Sequence, residues 1–236
     1  MTKPTSSFPD THWSLIVNVR DGTEAQAAEA LDRLCRAYWP PLYAFARKWG
    51  VEADSAADAV QEFLAHFISR GDLRRPSPEL GRFRSFLLAA FQNHLVSEHR
   101  RKTAQKRGGK VIFISLEDAV REERWLAHAG SAEQAFDLRW AEETMERALA
   151  QVGADFERAG NAAIFHALRP TLCGGEVEDM AAAGARVGLS AGAMRSAVFR
   201  VRAKFREALR SEVSQTVARA EEVEDEIRYL LTLLAQ

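Results

Sequence analysis

The run Gly188-Leu189-Ser190-Ala191-Gly192-Ala193-Met194-Arg195-Ser196-Ala197-Val198-Phe199-Arg200-Val201-Arg202 reads as a tight turn followed by a helix, and the rest of the chain can be placed around it. Gly188 can adopt the left-handed conformation that closes one helix, and Ser190 can cap the next. Past the turn, Met194, Ala197, Val198, Val201, Phe205 and Ala208 recur at three- and four-residue steps and form one buried stripe. The pattern predicts a helix-turn-helix over Met180 to Arg210 whose second helix is strongly basic.

At roughly 100° per residue, Arg195, Ser196, Phe199, Arg200 and Arg206 fall opposite that stripe, with Arg202 near its border. Phe199 is the informative residue. A merely solvated face has no use for a phenyl ring among arginines, whereas a face that meets DNA can pack the ring on thymine methyls or sugars while arginines reach guanine edges and phosphates. The competing reading is a basic surface helix with Phe199 buried beneath a neighbouring segment.

The bulk numbers allow this. With 236 residues and 47% hydrophobic composition, the chain is long enough for two small domains with real cores. The formal net charge is -1, but the charge is unevenly spread. Arg100, Arg101, Lys102, Lys106, Arg107 and Lys110 form one basic block, and Arg195, Arg200, Arg202, Lys204, Arg206 and Arg210 another; acidic segments at Glu117 to Glu123 and Glu221 to Glu226 offset them. Such a chain is expected to bind DNA locally and weakly by itself, with help from a larger partner. Cys35 and Cys173 lie far apart without metal-type spacing, so neither a disulfide framework nor a zinc site is expected. The six histidines make no HxxxH or HExxH pattern, no nucleophile, base and orienter stand together, and Gly108-Gly109 is not a phosphate loop. No metal, cofactor or enzymatic activity is expected. The first ten residues are polar, with Pro4 and Pro9, and no stretch is long enough to span a bilayer, so the expected location is the cytoplasm and no membrane partner is expected.

Almost every periodic segment has the helical repeat, which predicts an all-α chain. Trp13 to Val19 reads as a short anchor within 1–27. Glu24 to Tyr38 is amphipathic, Pro40-Pro41 is expected to break it, and Leu42 to Trp49 to resume as a second helix stopping at Gly50. Asp54 can cap a helix to about Ser69, with Ala57, Val60, Phe63, Leu64, Phe67 and Ile68 inward and Asp58, Gln61 and Glu62 outward. Arg70 to Gly81 reads as a loop, and Arg82 to about Lys102 as a helix that begins basic and aromatic and ends basic. A linker at 108–132 follows. Further helices run from Glu133 and from about Asn161, and the chain beyond Ser211 forms a helical extension with an acidic cluster. The expected architecture is two small helical domains joined by a linker, at 28–107 and 133–210, the second containing the helix-turn-helix, with the extension at 211–236 packed on the second domain or, less favoured, competing through its acidic cluster for the basic helix.

Two distant segments resemble one family. Ala56-Ala57-Asp58-Ala59-Val60-Gln61-Glu62-Phe63 is similar to the acidic segment with which bacterial RNA polymerase sigma factors grip the clamp of the largest subunit. Gly192 to Arg202 resembles the recognition helix of the extracytoplasmic-function (ECF) branch, which binds the promoter -35 element. Leu80-Gly81-Arg82-Phe83-Arg84-Ser85-Phe86-Leu87-Leu88, with Ala104 to Gly109 downstream, resembles an ECF-like subgroup carrying a C-terminal extension.

The resemblance implies a sigma region 2-like domain at 28–107 and a region 4-like domain at 133–210. It places Asp58, Gln61 and Glu62 on RNA polymerase core. It places Arg82, Phe83, Arg84 and Asn93 at the -10 element, where unstacked bases are captured by stacking and hydrogen bonding, and Arg100, Arg101 and Lys102 on phosphates upstream of it. Arg195, Ser196, Phe199, Arg200 and Arg202 would meet the -35 element of promoter DNA. An anti-sigma factor or a regulatory kinase would be the further partners such a protein admits. The rival reading is a stand-alone helix-turn-helix regulator whose residues 1–130 sense a signal or dimerise. One departure from the family concerns Met180 to Val187, which is rich in alanine and glycine, with Ala183 at a position usually larger; the smaller buried area would cost about 1–2 kcal/mol.

Overall fold

A computed structural model describes residues 23–69, 82–104, 126, 129–175, 179–217 and 219–235, and no strand occurs among them. The all-α expectation holds. The elements are α1 (Glu24–Lys48), α2 (Ala53–Ser69), α3 (Phe83–Ala104), α4 (Ala132–Arg158), α5 (Ala162–Leu168), α6 (Met180–Arg186), α7 (Ala191–Ser214) and α8 (Val223–Leu234), with short 3-10 turns at Arg169–Leu172 and Ala220–Glu222. The expected anchor at Trp13 to Val19, the loop before Arg82 and most of the 108–132 linker lie outside the described residues. No helix among the described residues is long and apolar enough to cross a membrane.

The first correction concerns Pro40-Pro41, which do not break the helix. Helix α1 runs unbroken from Glu24 to Lys48 with both prolines inside it. Each proline removes a backbone donor and costs about 3 kcal/mol in a helix interior. Around the pair, Tyr38, Leu42, Tyr43 and Phe45 are all buried, and burying one such side chain is worth about 1.5–3 kcal/mol. Four of them outweigh two missing donors. The helix starts under a capping box between Thr23 and Gln26 and ends at Gly50, at φ +99°, with Val51 N–H donating to Ala46 C=O. Helix α2 begins at Ala53, so Asp54 sits in the first turn rather than at the cap, where its carboxylate still faces the positive end of the helix dipole.

The described chain divides into two units, one within Met1–Glu143 and Val213–Gln236, the other Thr144–Glu212. These boundaries differ from the expected ones. The first turns of α4 belong to the first unit, where Asp137 and Trp140 meet Arg84 of α3, and residues 213–236 of the C-terminal extension belong there too. In the first unit, Phe91 meets Phe45 and Phe63 at ring-centroid distances of 6.0 and 5.1 Å, so α1, α2 and α3 share an aromatic core.

In the second unit, Phe165 of α5 packs on α4 at Gly153, where an added Cβ would stand 3.0 Å from the ring. Met194, Ala197, Val201, Phe205 and Ala208 of α7 are buried as the stripe requires, and Val198 is half-buried. Helix α6 closes in a Schellman arrangement: Gly188 has φ +72°, Leu189 N–H donates to Gly184 C=O at 2.8 Å and Gly188 N–H to Ala185 C=O at 3.4 Å. Ser190 then accepts from Ala193 N–H at 3.2 Å and opens α7. The turn folds back so tightly that a Cβ on Gly184 would meet the Leu189 carbonyl oxygen at 2.5 Å. The glycine in this short helix is therefore a steric requirement. Gly184→Ala is expected to destabilise the second unit by about 1–3 kcal/mol in chemical denaturation, because a backbone oxygen cannot swing aside as a side chain would; unchanged stability would show that the turn shifts freely.

Candidate nucleic-acid interface

Two surfaces carry the candidate residues, one in each unit. In the second unit, the start of α7 is held by the turn just described, and α6 is capped by Asp179, whose carboxylate accepts from Ala182 N–H at 3.0 Å and Ala181 N–H at 2.8 Å. Those two bonds hold the Asp179 carboxyl below its ordinary range. On the outer face of α7, Arg195, Ser196, Arg200 and Arg202 are exposed and Phe199 is 77% exposed. The reading in which a neighbouring segment buries Phe199 is therefore excluded among the described residues. Ser196 Oγ donates to Gly192 C=O at 3.2 Å, and Arg202 Nη2 reaches the Thr171 carbonyl at a long 3.4 Å. Arg195 and Arg200 have no carboxylate partner among the described residues. The result is an open cationic face with an aromatic ring in its middle, chemistry suited to phosphates and base edges.

The first unit treats its arginines differently. Phe83, a candidate for base stacking, is 1% exposed and packs edge-on against Tyr38 at 5.4 Å, so it is a core residue in this conformation. Phe86 is the shallower ring, half-buried 6.0 Å from Phe67. Arg84, a candidate for -10 contact, is only 4% exposed. Its Nη1 is ion-paired to Glu226 Oε1 of α8, its Nε lies 3.3 Å from Asp137 Oδ1 of α4, and its Cζ lies 4.4 Å from the Trp140 ring centroid and 5.3 Å from that of Tyr229. Arg82 Nη2 reaches Glu226 Oε2 at 3.1 Å and keeps 39% of its side chain in solvent. Glu226 is fully buried. Both arginines thus share one carboxylate from the C-terminal helix.

Burial pulls the Arg84 guanidinium down from its ordinary value and Asp137 pushes it back, but an arginine stays charged. Tyr229 donates to Asp137 Oδ2 at 2.5 Å, and burial first, then this bond, push its phenol up to about 12. Elsewhere in this unit Asn93 and Arg100 are exposed, and Arg101 and Lys102 lie on α3 with side chains outside the described set. On α2, Asp58 and Gln61 are exposed and Glu62 half-buried.

Sequence reasoning missed the Glu226, Asp137, Trp140 and Tyr229 cage, although a signal existed. At about 100° per residue, Arg84 points between Phe91 and Leu95, into the stripe of α3 that also holds Phe83 and Leu87. By the same measure Glu226 falls on the stripe of α8 formed by Val223 and Leu230. Opposite charges on two apolar stripes are a hint of a buried pair.

Among the described residues no group of three or more histidines, cysteines or carboxylates is gathered as for a metal ion. No model of a protein family matches the chain, and no curated protein or solved structure is similar to it.

The two phenylalanines make a direct comparison. Phe83→Ala is expected to cost about 3–5 kcal/mol in urea denaturation, and Phe199→Ala to stay within about 0.5 kcal/mol of the parent. Similar losses at both sites would contradict their placement. A second expectation concerns pH. Because the folded phenol of Tyr229 titrates higher than its usual 10.0, its contribution is complete below about pH 10 and declines as pH rises toward 12. Between those values the denaturation midpoint of Tyr229→Phe should fall less steeply than that of the parent; parallel curves would show that the phenol is not held by the fold.

Proposed function

We propose that the chain is an ECF-like sigma factor, which binds bacterial RNA polymerase core and directs it to promoters, with α7 reading the -35 element. The observation that carries this reading is the exposure of Phe199 among Arg195, Ser196, Arg200 and Arg202 at the start of a helix fixed by the Gly188 turn. A ring held in water by a well-packed helix costs solubility without adding to the core, and a nucleic-acid groove is the setting in which ring and guanidinium act together. The exposed Asp58 and Gln61 of α2, with Glu62 beside them, supply the acidic face that the polymerase clamp would take. In the same reading the exposed Asn93 of α3 would meet the -10 element, and the exposed Arg100, with Arg101 and Lys102 after it on the same helix, the phosphates upstream of it.

The experiment is capture of core enzyme by the purified chain, followed by run-off transcription. Retention of core and initiation from a defined promoter are expected. Tight duplex binding by the chain alone, with no transcription on adding core, would favour the stand-alone regulator. Arg200→Ala should weaken binding to the -35 element by about 1–3 kcal/mol if the guanidinium grips a base edge. An equal loss on a scrambled element would reassign Arg200 to phosphate.

A further inference from the structure

We propose that α8 is a latch: its Glu226 carboxylate occupies, from within the same chain, the site at the N-terminal end of α3 where Arg82 and Arg84 would otherwise hold single-stranded DNA. The inference rests on the reading that this end of α3 meets an unstacked strand. It names what controls that site.

The geometry supports occupancy by a stand-in anion. Glu226 gives one oxygen to Arg84 and the other to Arg82, at 3.1 Å for the latter, so a single carboxylate bridges two guanidiniums. A phosphate offers the same forked acceptor and more negative charge, and would satisfy both donors equally well. Trp140 of α4, its ring centroid 4.4 Å from Arg84 Cζ, puts an aromatic face beside the guanidinium, the combination on which strand bases stack, while Tyr229, at 5.3 Å, belongs to α8 and would leave with it.

The attachment of α8 is light. Only Val223, Glu226 and Leu230 of its residues are buried, while Leu231 is 48% exposed and Tyr229 36% exposed. A buried pair contributes little net stability over its desolvation, so when a phosphate takes the place of Glu226 the cost of release is set by the two buried apolar anchors, the half-buried Ile227, Leu233 and Leu234, and the Tyr229–Asp137 hydrogen bond. Elements with few buried contacts are the ones that open locally. Arg82, at the rim and part-exposed, is the point at which an incoming phosphate can begin the exchange.

The test is fluorescence anisotropy of a labelled single-stranded oligodeoxynucleotide on the full chain. Leu230→Asp frees α8 without altering Arg82, Arg84 or Glu226 themselves, and Glu226→Gln removes the competing charge. If the open state is a minor population of about 1–10%, each variant should bind about ten- to a hundredfold more tightly. Adding Arg82→Ala to Leu230→Asp should cancel the gain, which locates it at this site rather than at α7. Amide exchange should accelerate across 223–234 in Leu230→Asp while α1 to α3 stay protected. Fast exchange in α8 with unchanged affinity overturns the latch. So does loss of protection throughout the first unit, since α8 would then be part of the core. Core capture on the same proteins separates this from the sigma reading. Tight oligonucleotide binding without core capture upholds the latch and overturns the sigma assignment, and core capture with a freed α8 but no gain in affinity does the reverse.

Discussion

Arg84 carries a full positive charge to a position only 4% exposed, and much of the first unit follows from the need to neutralise it. Left alone, such a charge would cost several kcal/mol even after relaxation. Helix α4 answers with Asp137 and the face of Trp140, and α8 answers with Glu226. Two segments remote from α3 in sequence converge on this one guanidinium. Arg82 and Arg84 against Glu226 and Asp137 make the cluster neutral, and the Tyr229 hydroxyl occupies the second oxygen of Asp137. Compared with an apolar core of the same volume, an arrangement of this kind adds little net stability. Its contribution is selection. Rotating α8 by one residue would offer Ile227 in place of Glu226 and leave Arg84 with Asp137 as its one carboxylate and Arg82 without its own, so the charge favours one docking face of the helix.

What could be read from the chain beforehand was whatever local periodicity or a single turn residue dictates. The stripe of α7, the turn at Gly188 and the helical character of the described residues were legible because each depends on neighbours within a few residues. Pro40-Pro41 misled because their cost is local while the burial of Leu42 and Phe45 that outweighs it is tertiary. The depth of Phe83 relative to Phe86 was legible in principle, since Phe83, Leu87 and Phe91 repeat every four residues. The partner of Arg84 was not, because nothing in a helical repeat says which other helix will face it. The end of the extension in the first unit rather than the second is the same kind of fact.

The alanine- and glycine-rich first helix of the expected motif changes meaning once the turn is seen. Area lost at Ala183 and Gly184 looked like a weakness. At Gly184 the space is taken by the Leu189 carbonyl, which a side chain would strike. Small residues here let α6 and the turn approach closely, and that approach aims the outer face of α7.

The two basic surfaces therefore stand in different electrostatic conditions. Arg195 and Arg200 meet no carboxylate among the described residues, so their field extends into solvent and falls off only over the screening length. Arg82 and Arg84 are cancelled at contact distance by Glu226 and Asp137, so their field is short-ranged. In the proposed reading a polyanion approaching from solvent would be drawn to α7 first. It would reach the arginines of α3 only by exchanging one anion for another. A formal net charge of -1 is then consistent with DNA binding in the proposed reading, because the charge is unevenly placed: Arg195, Arg200 and Arg202 stand exposed on one face of α7, while Glu226 sits in a neutral cluster inside the fold rather than on that face.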